Sequence, residues 1–225
     1  MIKIIIKKLG IVLITFLLSG CNSDFHFDVF SSDFFLKDNV TTPAEMAVEI
    51  SSCTSDSLEE TKTEILSMFS RTSNAKVVGC ETEGMNSMLL VSVDAEIASE
   101  TSNFDLMIFR NILPDLELDG KTYEVSSVRP MISMDFLKRV ETVMENNMQS
   151  LSYDKVSLTM TLNNDEREDI IISGYNLWVN GEPMESFRRQ KLARRQKLDF
   201  KFSNVFSDLV LNGNGPIAFY VGKQK

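Results

Sequence analysis

Few residues in the chain are equipped to do chemistry. It has three cysteines and one histidine in 225 residues. Cys21, Cys53 and Cys80 show no C-x-x-C spacing, and with His26 as the lone imidazole a metal centre lacks ligands. His26 is a poor general base without an orienting partner and reads as a strand surface residue. No G-x-S-x-G, H-E-x-x-H, Walker or dinucleotide-binding loop occurs, so neither an enzyme nor a cofactor is expected. Asp115-x-Glu117-x-Asp119-Gly120 has the start of a calcium loop, but Ser126 stands at its twelfth position, where a bidentate Glu is needed. Asp165-Glu166-Arg167-Glu168-Asp169 reads as a solvated acidic turn.

The first 21 residues carry a clearer signal. Lys3, Lys7 and Lys8 precede a short apolar core from Gly10 to Leu18, and Ser19-Gly20 leads to Cys21. This is the layout of a secretory signal, because the lysines leave the apolar run too short for a stable span. Leu17-Leu18-Ser19-Gly20-Cys21 resembles the lipobox of bacterial lipoproteins. The resemblance implies a signal peptide over 1–20, lipidation of Cys21 and a membrane anchor of two or three acyl chains, each buried CH₂ adding about 0.8 kcal/mol. Asn22 stands where an Asp favours inner-membrane retention in enteric bacteria, so the outer membrane is the expected address. The expected localisation is the cell envelope, facing the periplasm.

In an oxidising periplasm the remaining pair, Cys53 and Cys80, is most simply a disulfide; the alternative is two buried unpaired thiols. Closing such a loop contributes about 3–4 kcal/mol in the chain-entropy model. The first twenty residues hold three of the 23 basic and none of the 32 acidic residues, so residues 21–225 carry a net charge of −12. An acidic body argues against nucleic-acid binding, which needs a basic face. Against that background Arg188, Arg189, Lys191, Arg194, Arg195 and Lys197 stand out as six basic residues in ten. They are candidates for contact with an anionic surface, either lipid head groups or lipopolysaccharide phosphates, or with an acidic envelope protein or another copy's acidic face. The alternative is a solvated helix or hairpin tip.

The elements that must position these groups follow from periodicity. Phe25, Phe27 and Val29 alternate with His26 and Asp28, so a strand starts almost at Cys21 and the domain lies close to the bilayer. Ser31–Pro43 reads as a polar connection with a short edge element at Phe34–Leu36. A helix is expected from Ser57, with Glu60 completing a capping box, to about Ser70. A second helix is expected after Ser133, with Leu137, Val140, Met144, Met148 and Leu151 on one side. Val156, Leu158, Met160 and Leu162 alternate as a strand. Asp119-Gly120 and Asn180-Gly181 mark hairpin turns. Leu198, Phe200 and Phe202 alternate, and Ser203–Leu211 reads as a short helix. With 205 residues after position 20 and no linker dividing them, the expected fold is one α+β domain over 21–225. It is built of antiparallel hairpins and two main helices, in two similar halves sharing one core.

Ser32-Asp33, Cys53, Ser57-Leu58, Glu60, Ile65, Phe69, Cys80, Met85 and Ser87 resemble a family of uncharacterised bacterial lipoproteins, often encoded in prophage regions. The resemblance implies a Cys53–Cys80 bridge, phage origin and no catalytic residues. The expected role is contact with a protein or surface, such as phage-derived host-surface modification or superinfection exclusion. The alternative is an accessory subunit of an envelope assembly or secretion complex.

Overall fold

The computed structural model describes residues 23–54, 56–84, 86–100, 102–146, 156–174, 177–184, 189–211 and 215–225, with backbone alone at 144–146. The expected signal segment with Cys21, the helical positions Met148 and Leu151, and Arg188 lie outside the described residues.

Alternation builds the sheet as expected. β1 (Ser23–Phe30) buries Phe25, Phe27 and Val29. β7 (Val156–Asn163) buries Val156, Leu158, Met160 and Leu162, and β12 (Lys197–Phe202) buries Leu198, Phe200 and Phe202. The other long strands are β2 (Val40–Ile50), β4 (Asn86–Ala98), β5 (Leu106–Leu118) and β6 (Lys121–Ile132). Shorter ones are β3 (Lys76–Glu83), β8 (Ile170–Gly174), β9 (Leu177–Val179), β10 (Glu182–Pro183), β11 (Arg189–Leu192) and β13 (Phe219–Gln224). All belong to one sheet ordered β10-β9-β12-β7-β1-β2-β4-β5-β6-β13-β8-β11, with β3 added to β4.

The fold agrees with the α+β expectation, but the sheet dominates it and is not built of antiparallel hairpins alone. It is mixed: β1 and β7 pair in parallel over eight residues, and β4 and β5 over three. The helices are α1 (Leu58–Ser67), α2 (Met134–Asn146) and α3 (Asn204–Leu211). Period-two alternation sets which face of a strand is buried but carries no information on its neighbour. Strands from before and after α2 share this one sheet, since β7 lies between β12 and β1.

β12 and β13 lie seven places apart in this order, about 34 Å in a flat sheet at the usual strand spacing. Yet the Phe200 and Phe219 rings stack at 4.8 Å. The sheet therefore curls over itself and encloses one apolar core. Phe34 closes that core edge-on to Phe219, with the ring centres 6.3 Å apart. It sits in a 3₁₀ turn at Ser31–Phe35, where a short edge element is expected over Phe34–Leu36, and Phe35 is buried with it. β2 then begins at Val40 and contains Pro43, which faces Asp94 of β4 beyond the last residue, Ala44, that pairs with β1. A proline is tolerated where the ladder on one side has ended.

Phe136 joins the helices to the sheet: its ring lies 4.9 Å from Phe69 and 6.5 Å from Phe25. Ser133 Oγ caps α2 by accepting the Phe136 N–H. The expected capping box of α1 is not formed; Ser57 makes no side-chain cap bond, and its carbonyl accepts from Thr61. α1 ends at Ser67, and Met68 and Phe69 leave it to enter the core. Both expected turns are present, with left-handed Asp119-Gly120 and Asn180-Gly181.

Candidate functional site

β7 and β12 pair with each other, and so do their continuations β8 and β11. The same two stretches of chain thus form a ribbon in both layers and cross between them at 164–169 and 193–196. This crossing is the corner that carries the basic run.

Asn164, 2 % exposed, holds the corner. Its backbone N–H donates to the Gln196 carbonyl and its carbonyl accepts the Arg195 N–H, both at 2.9 Å. Its side-chain amide donates to the carbonyls of Leu192 (2.9 Å) and Glu168 (3.0 Å). Its Oδ1 accepts from Ser31 Oγ (3.2 Å) and the Glu166 N–H (3.0 Å). Next to it, Asp165 accepts from Ser31 Oγ, Ser32 Oγ and the Ser32 N–H at 2.6–3.0 Å. Burial pushes the Asp165 carboxyl up, but these bonds outweigh it and hold the group below its ordinary value. Nothing in the local sequence marks Asn164 apart from its neighbours; its partners are separated from it by up to 133 residues.

The basic run is a strand, a turn and a second strand. Leu192, 2 % exposed, points into the core and divides it. Lys191 forms an ion pair with Asp169 at 2.5 Å, and Asp169 Oδ1 accepts the Arg194 N–H at 3.2 Å. The Lys191 hydrogen bond, with the Arg194 N–H, lowers the Asp169 pKa, and Asp169 raises that of Lys191. Arg195 is left-handed at φ 63°. The side chains of Arg189, Arg194, Arg195 and Lys197 make no ion pair among the described residues. The structure thus brings five of the six expected basic residues to one corner and one sheet edge.

That corner lies at a defined distance from the start of the domain. Ser23 pairs with Val48 and Val156, and through Val48 and Leu89 the same end of the sheet reaches Cys80. Phe30 pairs with Asn163, and Asn163 with Lys197. The eight residues of β1 separate the two ends by about 23 Å. Cys53 and Cys80 are joined by a disulfide at the Ser23 end, with their Cα atoms 5.7 Å apart.

The other chemical candidates do not assemble. His26 faces threonines, with Nδ1 2.9 Å from Thr159 Oγ1 and Nε2 3.4 Å from Thr161 Oγ1. Asp115 binds Lys225 and Glu117 accepts from Thr122, both at 2.6 Å, while Asp119 forms the hairpin turn. Among the described residues no group of three or more His, Cys, Asp and Glu converges, and no helix is long and apolar enough to cross a membrane. Two open cavities of about 490 and 470 Å³ flank β11 and share Arg189, Gln190 and Lys191.

No curated protein and no solved structure is significantly similar to the chain. One family model matches residues 24–224, almost the whole described fold. The chain belongs to the family of the domain of unknown function DUF7424.

Proposed function

We propose that the chain is a lipid-anchored, non-enzymatic envelope protein that works by contact, presenting its basic corner to a protein partner on the side away from its own membrane. The reading is carried by the register of β1. A lipid on Cys21 holds the Ser23 end at the bilayer, and Lys197 stands at the far end of the same strand. At about 23 Å the corner is two to three Debye lengths from that end at physiological salt. Lipid head groups of the anchoring membrane are then too distant to attract it.

Arg195 supports a contact role. A non-glycine residue in the left-handed region costs about 1–2 kcal/mol. An exposed arginine kept at that cost fits a functional position, since backbone strain gathers at such sites.

The anchor is tested by metabolic labelling with palmitate. Cys21→Ala should lose the label and leave the membrane fraction; unchanged incorporation overturns the anchor. The direction of the corner is tested by a photo-crosslinker at position 195 of the anchored protein. Protein adducts are expected. Adducts mainly to phospholipid overturn the distal placement.

A further inference from the structure

We infer that the free edge of β11 is a docking site where an acidic, extended segment of a partner protein adds as a further strand. β11 ends the sheet order, and among the described residues no strand pairs with its outer edge. The unpaired N–H and C=O groups of an edge strand are a template for another chain. Strand addition takes affinity from those groups and specificity from space for alternate side chains on the two faces.

Cavities beside β11 offer such space. Arg189 and Lys191 pair with Ser173 and Ile171 and so share their face. On that face a narrow apolar groove of about 50 Å³ runs beneath the β5–β6 arm, with Leu116, Tyr123, Ile171 and Tyr220 among its walls and Arg189 at its rim. It lies beside the cavity of about 470 Å³ lined by Lys121 and Lys191 and also by Asp119, Glu168 and Asp169, of which Asp169 is taken up by Lys191. The cavity of about 490 Å³ lies between β11 and the β9–β10 hairpin. The site thus takes a backbone along the strand, apolar side chains against Leu116 and Tyr123, and carboxylates at Arg189 and Lys121.

Charge selects the partner. Arg189 has no ion pair among the described residues, and the Lys121 amine donates to the neutral amide of Gln224 at 3.0 Å. The corner beyond adds Arg194, Arg195 and Lys197, whereas the rest of the chain is strongly acidic. Among the described residues the unpaired cations of this run, Arg189 with Arg194, Arg195 and Lys197, repel the same run of a second copy and favour an acidic strand laid along it. The inference deepens the contact reading above and rests on it. The two fail separately, because peptide binding needs no membrane and palmitate labelling needs no partner.

The test uses the full chain in neutral detergent micelles and a fluorescein-labelled peptide of alternating Glu and Val, followed by anisotropy. Saturable binding is expected. It should weaken about tenfold with Arg189→Glu, and as much when alternate peptide amides are N-methylated. The double variant R189E/K121E should instead take a Lys–Val peptide, a gain that misfolding cannot produce. Absence of saturable binding, equal binding of the N-methylated peptide, or indifference to Arg189→Glu overturns the proposal. Stronger capture by vesicles rich in anionic phospholipid, lost in the same variant, also overturns it and assigns the edge to a lipid surface.

Discussion

Arg195 donates its backbone N–H to the carbonyl of Asn164 at 2.9 Å, so a left-handed, exposed arginine is fastened to a buried asparagine. The pair sits where the ribbon of β7, β8, β11 and β12 passes from one layer of the sheet to the other. Rigidity on the inside and charge on the outside of one corner come from adjacent segments of backbone.

Asn164→Ala should therefore be costly out of proportion to its size. It leaves the carbonyls of Leu192 and Glu168 and the Glu166 N–H without their side-chain partner, while the Ser31 hydroxyl keeps Asp165. At about 1 kcal/mol for each lost bond, the expected destabilisation is about 3–4 kcal/mol, read as a lower urea midpoint. Arg195→Gly should shift the midpoint the other way, by up to about 1 kcal/mol, because glycine accepts the left-handed conformation.

The disulfide predicts a separate effect. Cys53 and Cys80 are 27 positions apart in sequence. Releasing that loop costs about 3.5 kcal/mol in the chain-entropy model. Both cysteines are partly exposed, so reductant has access. Thermal melting with and without dithiothreitol should show a clear drop in Tm, and Cys53→Ser/Cys80→Ser should melt at the reduced value in both conditions.

Acid sensitivity should trace to the turn after β1. The pKa of Asp165 is lowered in the fold, so its stabilising contribution is complete above its unfolded value of about 3.9 and is lost as pH falls through the lowered folded value. Asp33 acts in the opposite sense. Burial raises its pKa, with the Asp165 charge adding to the effect. It therefore costs stability at neutral pH, and that cost disappears on acidification. Urea midpoints between about pH 6 and 2 should fall less steeply in Asp165→Asn than in the parent chain, and more steeply in Asp33→Asn. Parallel slopes in all three proteins would remove both carboxylates from the account.

Much of this framework was legible in the residues alone. Val156–Leu162 and Leu198–Phe202 alternate because one face of each is buried, and such burial writes itself into sequence. Asp119-Gly120 and Asn180-Gly181 announce their turns because a tight hairpin needs left-handed residues. The cysteine pair followed from counting. Partnership was not legible. That β1 lies parallel to β7 depends on contacts some 133 residues apart, and nothing within either strand encodes it. Asn164 looked like one polar residue in a charged loop, because its partners come from three other segments. The basic run looked like a single patch. Leu192 turns inward within it, and the chain bends just after, so the charges divide between a strand edge and a corner.

The buried carboxylate of Asp105 gives the last prediction. β4 and β5 are parallel although only residues 99–105 connect them, far fewer than a parallel crossover usually takes. Asp105, 2 % exposed, secures this short return. It accepts the Ser70 N–H (2.5 Å) and Ser73 Oγ (2.8 Å) and pairs with Arg139 of α2. Arg139 Nε donates in turn to the Met68 carbonyl at 2.5 Å. One ion pair thus ties the end of α1, the start of β5 and α2 together. Removing either partner strands the other. Asp105→Ala leaves three donors unmet, and Arg139→Met leaves a buried carboxylate without its counter-charge. Each should cost about 2–4 kcal/mol, towards the upper figure for Arg139→Met because Asp105 is the more buried of the two. The double variant should be no less stable than the worse single, giving a coupling of about 1–3 kcal/mol in a double-mutant cycle. Additive losses would mean that Asp105 acts through the serines alone and that α2 is held by the Phe136 cluster without it.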